Sequence, residues 1–299
     1  MTTTMTQRLL TTDEATRPGG PRLHHSRRVS GRRRWLHFVL IPLGILWMVP
    51  VFMVVGLSLM PSNNPATTFF GMFPAAPSFS NYVLVWQQNP ILLHLLNSLL
   101  ITVPSVVIVV IVGAMAAFSL ARLRVPLRAL FFGILILGLV LPMSGIVVAV
   151  FKILQSLNLY NSILGLVLVY SALGLPFAVI IIRTAFLAIP YETFEAAVID
   201  GASVWQIFWR IYLPLARPAI SVVVIWQVMM AWNDFLLPLV SLSDNDKKPL
   251  TLVPLAYQGI FLSQPGALFA VLVLISIPVV LVFLSIQRYL VNGLAGAIK

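Results

Sequence analysis

The residues that could carry chemistry in this 299-residue chain are few, and their spacing excludes most enzymes. The chain has no cysteine, which excludes disulfides, thiolate metal sites and a cysteine nucleophile. The four histidines are scattered, and neither an H-E-x-x-H metal motif nor a nucleophile elbow occurs. The phosphate-binding pattern G-x-x-x-x-G-K-[ST] is also missing from the sequence. We therefore expect no catalytic residue, no metal site and no cofactor bound by this chain.

The polar stretch 190–218 is the main candidate for a functional surface. Pro190 suits the first turn of a helix, where its missing N–H costs nothing. Glu192 and Glu195 fall in the early turns, where the positive end of the helix dipole favours carboxylates. Gly201 lies where a left-handed C-terminal cap is expected. These features predict a short helix that ends at a glycine turn, with one apolar face formed by Phe194, Ala197 and Val198.

A second helix is predicted to begin directly after that glycine. Ser203 can cap it together with Gln206, in a capping-box arrangement. Its apolar stripe suits a helix at the membrane interface and comprises Val204, Ile207, Phe208 and Ile211, widened by Trp205, Trp209 and Tyr212. Leu213-Pro214 should end it, because proline disfavours helix in the preceding residue. The two helices would form a compact knob, in which the small pair Ala196-Ala197 lets a partner surface approach closely.

The elements that must position this knob are membrane helices. Apolar residues make up 60% of the chain and charged residues only 9%, which is more apolar surface than a soluble core could hide. Segments long enough to cross a bilayer lie near 36–59, 95–120, 127–150, 160–186, 219–241 and 266–290. We therefore predict an all-α polytopic membrane protein with six transmembrane helices. The first segment is read as a retained anchor, since its apolar core is too long for a signal peptide.

The net charge of +11 is distributed as in a membrane protein and not as in a nucleic-acid-binding protein. Residues 1–34 hold eight of the 19 Lys and Arg, and are predicted to be a disordered basic tail before a transmembrane domain over 35–299. The cluster Arg32-Arg33-Arg34 is expected to contact anionic lipid, with nucleic acid or a regulator as the minor alternative. The other cations favour a cytoplasmic location for both termini and for the loop 187–218.

Several smaller features have a structural and a functional interpretation. The outer loops, near 60–94 and 242–265, would form either an aromatic belt at the interface or a contact surface for an extracytoplasmic partner. The basic turn 121–128 is interpreted as structural, and Arg183 is expected to reach lipid phosphate or the 187–218 loop. Prolines inside the spans suggest kinks around a cavity and lie at Pro142, Pro176 and Pro278.

The pattern Glu195-Ala196-Ala197, then Gly201, then Leu213-Pro214 resembles the EAA cytoplasmic loop of ABC-importer permeases. Residues 194–203 and 211–218 are similar to the carbohydrate branch of that family, the maltose- and glycerol-phosphate-type permeases. The same similarity extends over roughly residues 36–299 and includes Asn97-Ser98, Trp232-Asn233-Asp234-Phe235 and the ending 292–299. The order of segments resembles the second, six-span permease of such heterodimers.

This resemblance implies the ABC type I importer permease fold and a subunit that forms half of a translocation path in the bacterial plasma membrane. The implied solute is a sugar, oligosaccharide or sugar derivative. Implied partners are a second permease, two ATPase subunits that hold ATP and Mg, an extracytoplasmic solute-binding protein and membrane lipid. The residues implied to couple this chain to the ATPase are Glu192, Glu195, Ala196, Ala197, Asp200, Gly201, Leu213 and Pro214.

Trp232, Asn233 and Asp234 are the candidates for the translocation path. Asp234 is the clearest ionisable residue inside a span, and such residues are functional candidates by default. It could hydrogen-bond sugar hydroxyls while Trp232 stacks on a ring. The alternative, which we favour, is that Asn233 and Asp234 hold a bend near Pro238.

Two other functions stay open. One is a permease of the same superfamily for another solute, such as an amino acid, peptide or anion. The other is a self-sufficient secondary transporter or channel, which should carry buried charge chains and often inverted repeats.

Overall fold

The computed structural model describes residues 30–61, 74, 76–140, 142–258 and 264–296. Helix α1, Ser30–Ser58, begins inside the predicted tail, so residues 30–34 are helical. The rest of that tail, residues 1–29, lies outside the described residues. The described chain divides into two units at residue 50. In the first unit the described side chains of α1 are almost all apolar and exposed, as suits a helix surrounded by lipid.

The second unit contains the end of α1 and helices throughout the rest of the described chain. The long helices are α3 Ile91–Arg122, α6 Ile163–Ala188, α10 Arg217–Trp232 and α12 Pro265–Gly296. Shorter ones are α2 Ser80–Gln88, α4 Arg128–Val140, α5 Met143–Ser156, α7 Tyr191–Ile199, α8 Val204–Ile207, α9 Leu213–Leu215 and α11 Leu236–Ser241. A π-helical segment, Phe208–Tyr212, joins α8 to α9, and 3₁₀ helices cover Asn245–Lys247 and Leu250–Tyr257. The predicted all-α class is confirmed.

Within the described residues, four helical segments are long and apolar enough to cross a membrane, namely α3, α6, residues 265–287 of α12 and residues 36–58 of α1. The number of crossings rises to as many as six if two bent pairs of helices each count as one span. These pairs are α4 with α5, and α8–α9 with α10. The third predicted span, 127–150, is not one helix, because Pro142 has an extended backbone (ψ 133°) between α4 and α5. The fifth, 219–241, is interrupted after Trp232 and resumes at Leu236. The second begins at Ile91 and not at residue 95.

Helices α3 and α6 pack against each other along their length and form the centre of this unit. Small residues allow the contact: a Cβ added to Gly113 would lie 2.9 Å from the Cβ of Ala178. Prolines within these helices, Pro104 and Pro176, do not interrupt them. The guanidinium of Arg183 lies 4.6 Å from the centre of the Phe132 ring in α4, and not against the 187–218 loop, which was one of its two expected partners.

The turns at one end of the unit are held together by Asn161, which has the left-handed backbone that asparagine tolerates (φ 55°). Its Oδ1 accepts hydrogen bonds from the N–H groups of Ser243 (3.1 Å) and Asp244 (3.2 Å). Its amide donates to the Asp244 carboxylate at 2.7 Å, and Lys247 forms an ion pair with the same group at 2.9 Å. Hydrogen bonds from Lys247 and Asn161 hold the pKa of the Asp244 carboxyl below its usual range. The loop after α11 is therefore tied to the turn between α5 and α6.

Candidate functional site

Helix α7 forms and ends where the local sequence predicts. Glu192 lies in its first turn, and Pro190 is its N-cap residue, one position before the predicted first turn. Gly201 follows with φ 79°, the left-handed conformation expected of it. The N–H of Gly201 donates to the Val198 carbonyl at 3.0 Å, and the N–H of Ala202 donates to the Ala197 carbonyl at 2.9 Å. These two bonds form a Schellman motif, which fixes the direction of the chain after α7.

The next helix starts with the predicted capping box. The Ser203 N–H donates to Gln206 Oε1 at 2.8 Å, and the Gln206 N–H donates to Ser203 Oγ at 3.3 Å. The prediction that Leu213-Pro214 ends this helix is wrong, because the chain stays helical to Leu215. The helix widens over Phe208–Tyr212, so that the Leu213 N–H reaches back to the Phe208 carbonyl. A proline fits just after this change of register, since it has no N–H to place.

An aromatic cluster attaches this helical pair to the membrane helices. The ring of Phe118, near the end of α3, lies at its centre. Its ring centroid lies 5.9 Å from that of Phe186 in α6, 5.3 Å from Phe208, 5.1 Å from Tyr212 and 6.4 Å from Phe194 in α7. Tyr212 is fully buried, so the expectation that it lies at the membrane interface is wrong. Edge-to-face pairs of this kind stabilise a contact beyond the area that they bury.

Arg122, one helical turn beyond Phe118, makes the second attachment. Its guanidinium donates hydrogen bonds to the carbonyl oxygens of Phe186 and Ile189, at the end of α6. It also lies 5.7 Å from the ring centre of Tyr191 and 5.2 Å from that of Tyr212. Arg122 therefore joins α3, the end of α6 and the start of α7. The basic turn 121–128 was predicted to be structural without these contacts, and the available signal for them was an aromatic residue and a cation four positions apart at the end of a span.

The opposite surface of the helical pair is exposed. Glu192, Glu195, Ala196 and Asp200 all face solvent in this chain. Ile199 is 85% exposed, an unusual position for a large apolar side chain on a short ordered helix. We call this surface, which consists of Glu192, Glu195, Ala196, Ile199 and Asp200, the acidic–apolar face.

Not every residue predicted for partner contact lies on that face. Ala197 is only 7% exposed and packs into the aromatic cluster, which corrects the expectation that both alanines face a partner. Val198, predicted to share the buried face, is 50% exposed. Gly201 is exposed at the turn, and Leu213 and Pro214 are half-buried. A helix of this length can present only part of its surface to the core, and the larger Phe194 occupies that side.

The predicted path residues lie at the break between α10 and α11. Trp232 is only 4% exposed, and its indole N–H donates to the Ile275 carbonyl of α12 at 3.0 Å. Its ring is therefore packed between helices and does not offer a stacking face in this conformation. Asn233 is exposed.

Asp234 is held by three contacts. The Tyr170 hydroxyl donates to its Oδ2 at 2.8 Å, and the Leu236 N–H donates to its Oδ1 at 3.0 Å, as at the start of a helix. The hydroxyl of Thr251 donates to its carbonyl oxygen at 3.0 Å. These contacts favour the interpretation that Asp234 holds a bend, with the carboxylate half-buried beside the break. Among the described residues no group of three or more His, Asp or Glu side chains is placed to hold a metal ion.

Comparison with known proteins identifies the family. Residues 91–296 match the model of the family described as binding-protein-dependent transport system inner membrane component. The chain is 34% identical over 261 residues to the diacetylchitobiose uptake system permease protein NgcG of Streptomyces coelicolor, covering 87% of this chain and 86% of that protein. It is 32% identical over 258 residues to the trehalose transport system permease protein SugB of Mycobacterium tuberculosis, covering 84% and 92% respectively.

A solved structure shares the fold. A chain of a bacterial ABC transporter involved in the import of the acidic polysaccharide alginate superposes with a TM-score of 0.73 at 24% identity, covering 87% of this chain and 98% of that chain. The match to the family model includes every described helix from α3 onward, and with it the 190–218 segment and the break at Asp234. This chain is a multi-pass inner-membrane permease of the binding-protein-dependent ABC importer family.

Proposed function

We propose that this protein imports a sugar, an oligosaccharide or a sugar derivative, and that residues 190–218 couple it to a separate ATPase. We name these residues the coupling loop. The observation that carries the proposal is that one side of the loop is firmly attached to the membrane helices, while its other side is exposed. Phe118 and Arg122 attach it to α3 and α6, while the acidic–apolar face exposes carboxylates beside Ile199, which is 85% exposed.

Such a surface suits a protein partner more than solvent or lipid. Exposed carboxylates disfavour burial in a bilayer, and Ile199 beside them offers a protein partner an apolar contact. The firm attachment matters because a docked partner can move the spans only if the loop moves with them as one body. ATP and Mg would be held by the ATPase, with two such subunits for each pair of permeases.

The cargo and the remaining partners rest on the relatives. Similar permeases are named for the uptake or transport of diacetylchitobiose, trehalose and sulfoquinovosyl glycerol, which are all glycosides. Another solved alginate transporter of this fold is in complex with a periplasmic protein that holds an alginate pentasaccharide. We infer that this chain pairs with a second permease and receives its solute from an extracytoplasmic binding protein. The coupling loop and both termini would then lie in the cytoplasm, where most of the cations are expected.

The experiment that tests this function has two steps. The tagged protein is first purified in mild detergent, and a second permease, an ATPase and a sugar-binding protein should accompany it. The assembled complex is then placed in proteoliposomes, and uptake of radiolabelled sugars and ATP hydrolysis are measured for wild type and for Glu195→Lys. A lysine at exposed Gln258, far from the coupling loop in sequence, serves as the control for added charge.

Glu195→Lys should lose most sugar uptake per ATP hydrolysed, while Gln258→Lys should behave as wild type. A protein that purifies alone and transports without ATP would refute the proposal and favour a self-sufficient transporter.

A further inference from the structure

A second site lies beside the 3₁₀ helices that follow α11, outside the coupling loop and the break at Asp234. It is a cavity of about 580 Å³, within the roughly 300–1,000 Å³ typical of small-molecule sites. The end of α2, the start of α3 and the loop after α11 all contribute to it. We call it the polar cavity, after the polar side chains that line it: Gln88, Asn89, His94, Asn245, Asp246 and Lys248.

The wall of the polar cavity is fixed by hydrogen bonds from α3. Asn97, which is 3% exposed, donates to the carbonyl oxygens of Asp246 (2.7 Å) and Lys248 (3.1 Å). Ser98 Oγ accepts from the Leu250 N–H at 2.8 Å. Two adjacent residues of α3 therefore hold the backbone of the loop in place. A site held in this way loses little conformational entropy when a ligand binds.

His94 is the best-defined group in the wall. It is 6% exposed, and its Nδ1 lies 2.8 Å from the Lys248 carbonyl oxygen. A carbonyl can only accept, so Nδ1 carries the proton in this contact and Nε2 is an acceptor in the neutral ring. The side chain of His94 lines the cavity, so Nε2 offers an acceptor to a ligand that can donate a hydrogen bond.

We propose that the polar cavity binds a neutral sugar, of one or two rings, on its way into the permease. The planar amides of Gln88, Asn89 and Asn245 provide donors and acceptors, which suit neighbouring hydroxyl groups. The charges of Asp246 and Lys248 cancel, so the lining as a whole does not favour an ionic ligand over a neutral one.

The same cavity also offers apolar contacts. Leu252 and Val253, both 4% exposed, lie in its lining and can contact the C–H faces of a ring. The site lies at the end of α3 remote from Arg122, and hence at the extracytoplasmic mouth if the coupling loop is cytoplasmic. The proposal rests on the proposed function and adds a place where the released solute is first held.

The absence of cysteine from the chain permits a direct test. Cysteine is introduced at Gln88, an exposed lining position, in the full permease–ATPase complex, with the binding protein omitted. The rate of maleimide labelling at this residue is then measured with trehalose, maltose or diacetylchitobiose. Sugar at about ten times its dissociation constant should slow labelling about tenfold, because only the empty cavity reacts. Lys247→Cys is the matched control, since Lys247 adjoins a lining residue but does not line the cavity.

Two further variants connect protection to the predicted contacts. His94→Asn keeps an amide that can donate to the Lys248 carbonyl but removes the acceptor Nε2, and Lys248→Ala removes the lining ammonium. Each should abolish the protection of Gln88→Cys by sugar, whereas Lys247→Ala should preserve it. Ordinary assembly of the complex, checked by size-exclusion chromatography, separates loss of binding from loss of folding.

Three outcomes distinguish this inference from the proposed function. Labelling that no sugar slows, in a complex that imports sugar with ATP, overturns the polar cavity as a sugar site and leaves the importer intact. Protection by sugar-free binding protein but not by sugar also overturns it, since the cavity would then be a protein contact. Protection by sugar in a complex that imports none of the three sugars supports the site and counts against the proposed cargo.

Discussion

Replacing Arg122 by methionine should loosen the coupling loop without unfolding the membrane helices. Arg122 donates to the carbonyls of Phe186 and Ile189 and lies over the rings of Tyr191 and Tyr212. Methionine keeps an unbranched apolar stem in the same place but supplies neither donors nor charge. The contacts that are lost all join α3 to the coupling loop or to the end of α6 just before it.

The size of the effect follows from these contacts. Two hydrogen bonds from a charged donor contribute about 3–6 kcal/mol together. Two cation–π contacts add about 1–2 kcal/mol at a partly exposed site. Arg122 lines an open cavity, so water can reach both carbonyl oxygens after the substitution. Hydrogen bonds to this water offset much of the lost free energy. We expect about 2 kcal/mol to remain, which corresponds to about a 30-fold change in the opening equilibrium of the loop.

Hydrogen exchange measured by mass spectrometry tests this value on the intact complex. Amides of α7 and of the helix after Ser203 should exchange about 30-fold faster in Arg122→Met, while those in the centre of α3 and α6 keep their protection. Arg122→Lys should be intermediate, since an ammonium retains the charge but not the planar pair of donors. Arg124→Met is the control, because Arg124 is exposed in the same turn. Equal exchange in Arg122→Met and wild type would refute the view that Arg122 holds the loop.

Three further predictions concern single side chains. Glu195→Gln should reduce sugar uptake per ATP less than Glu195→Lys does. Equal losses of uptake in both variants would show that the partner does not recognise the charge at this position. Gly201→Ala should cost about 1 kcal/mol of loop stability, because φ 79° strains a Cβ even though nothing lies within 4 Å of it; unchanged exchange in α7 would contradict this. Asp234→Asn, whose Oδ1 can accept from the Leu236 N–H while its amide donates to the Tyr170 hydroxyl oxygen, should keep the melting temperature of the complex, whereas Asp234→Ala should lower it by leaving both groups without a partner. A normal melting temperature in Asp234→Ala, with impaired uptake in both variants, would instead favour a path role.

The predictable features of the coupling loop depend on residues that are close together in the sequence. The turn at Gly201 needs a positive φ, and the cap at Ser203 needs a glutamine three positions later, so both can be recognised in the sequence. The π-helical segment could not be recognised. Its widening reverses the expected effect of Pro214 and turns Tyr212 inward, towards an aromatic ring from another helix. A one-residue change of register leaves no mark in the spacing of the apolar residues.

The breaks within the spans also differ in how far the sequence predicts them. Pro142 was expected to disturb the third span, and an extended residue separates its two helices there. The polar pair Asn233-Asp234 predicts a bend in the fifth span, and α10 ends just before it at Trp232. The predicted bend near Pro238 is instead a break before Leu236, because average hydropathy registers composition and not backbone geometry. The partners that fix this break, Tyr170 and Thr251, come from another span and another loop. Only a three-dimensional arrangement shows that Asp234 contacts both of them, two residues before α11 begins.

Helix α3 connects the coupling loop to the polar cavity. At one end, Phe118 and Arg122 hold the coupling loop; at the other, Asn97 and Ser98 hold the wall of the cavity. The helix has 32 residues and is therefore about 48 Å long. If an ATPase moves the loop, as proposed above, a stiff helix carries that displacement along its axis to the wall of the cavity. We infer that the two faces are coupled through this one helix, so that weakening either attachment should separate ATP hydrolysis from the handling of solute at the other end.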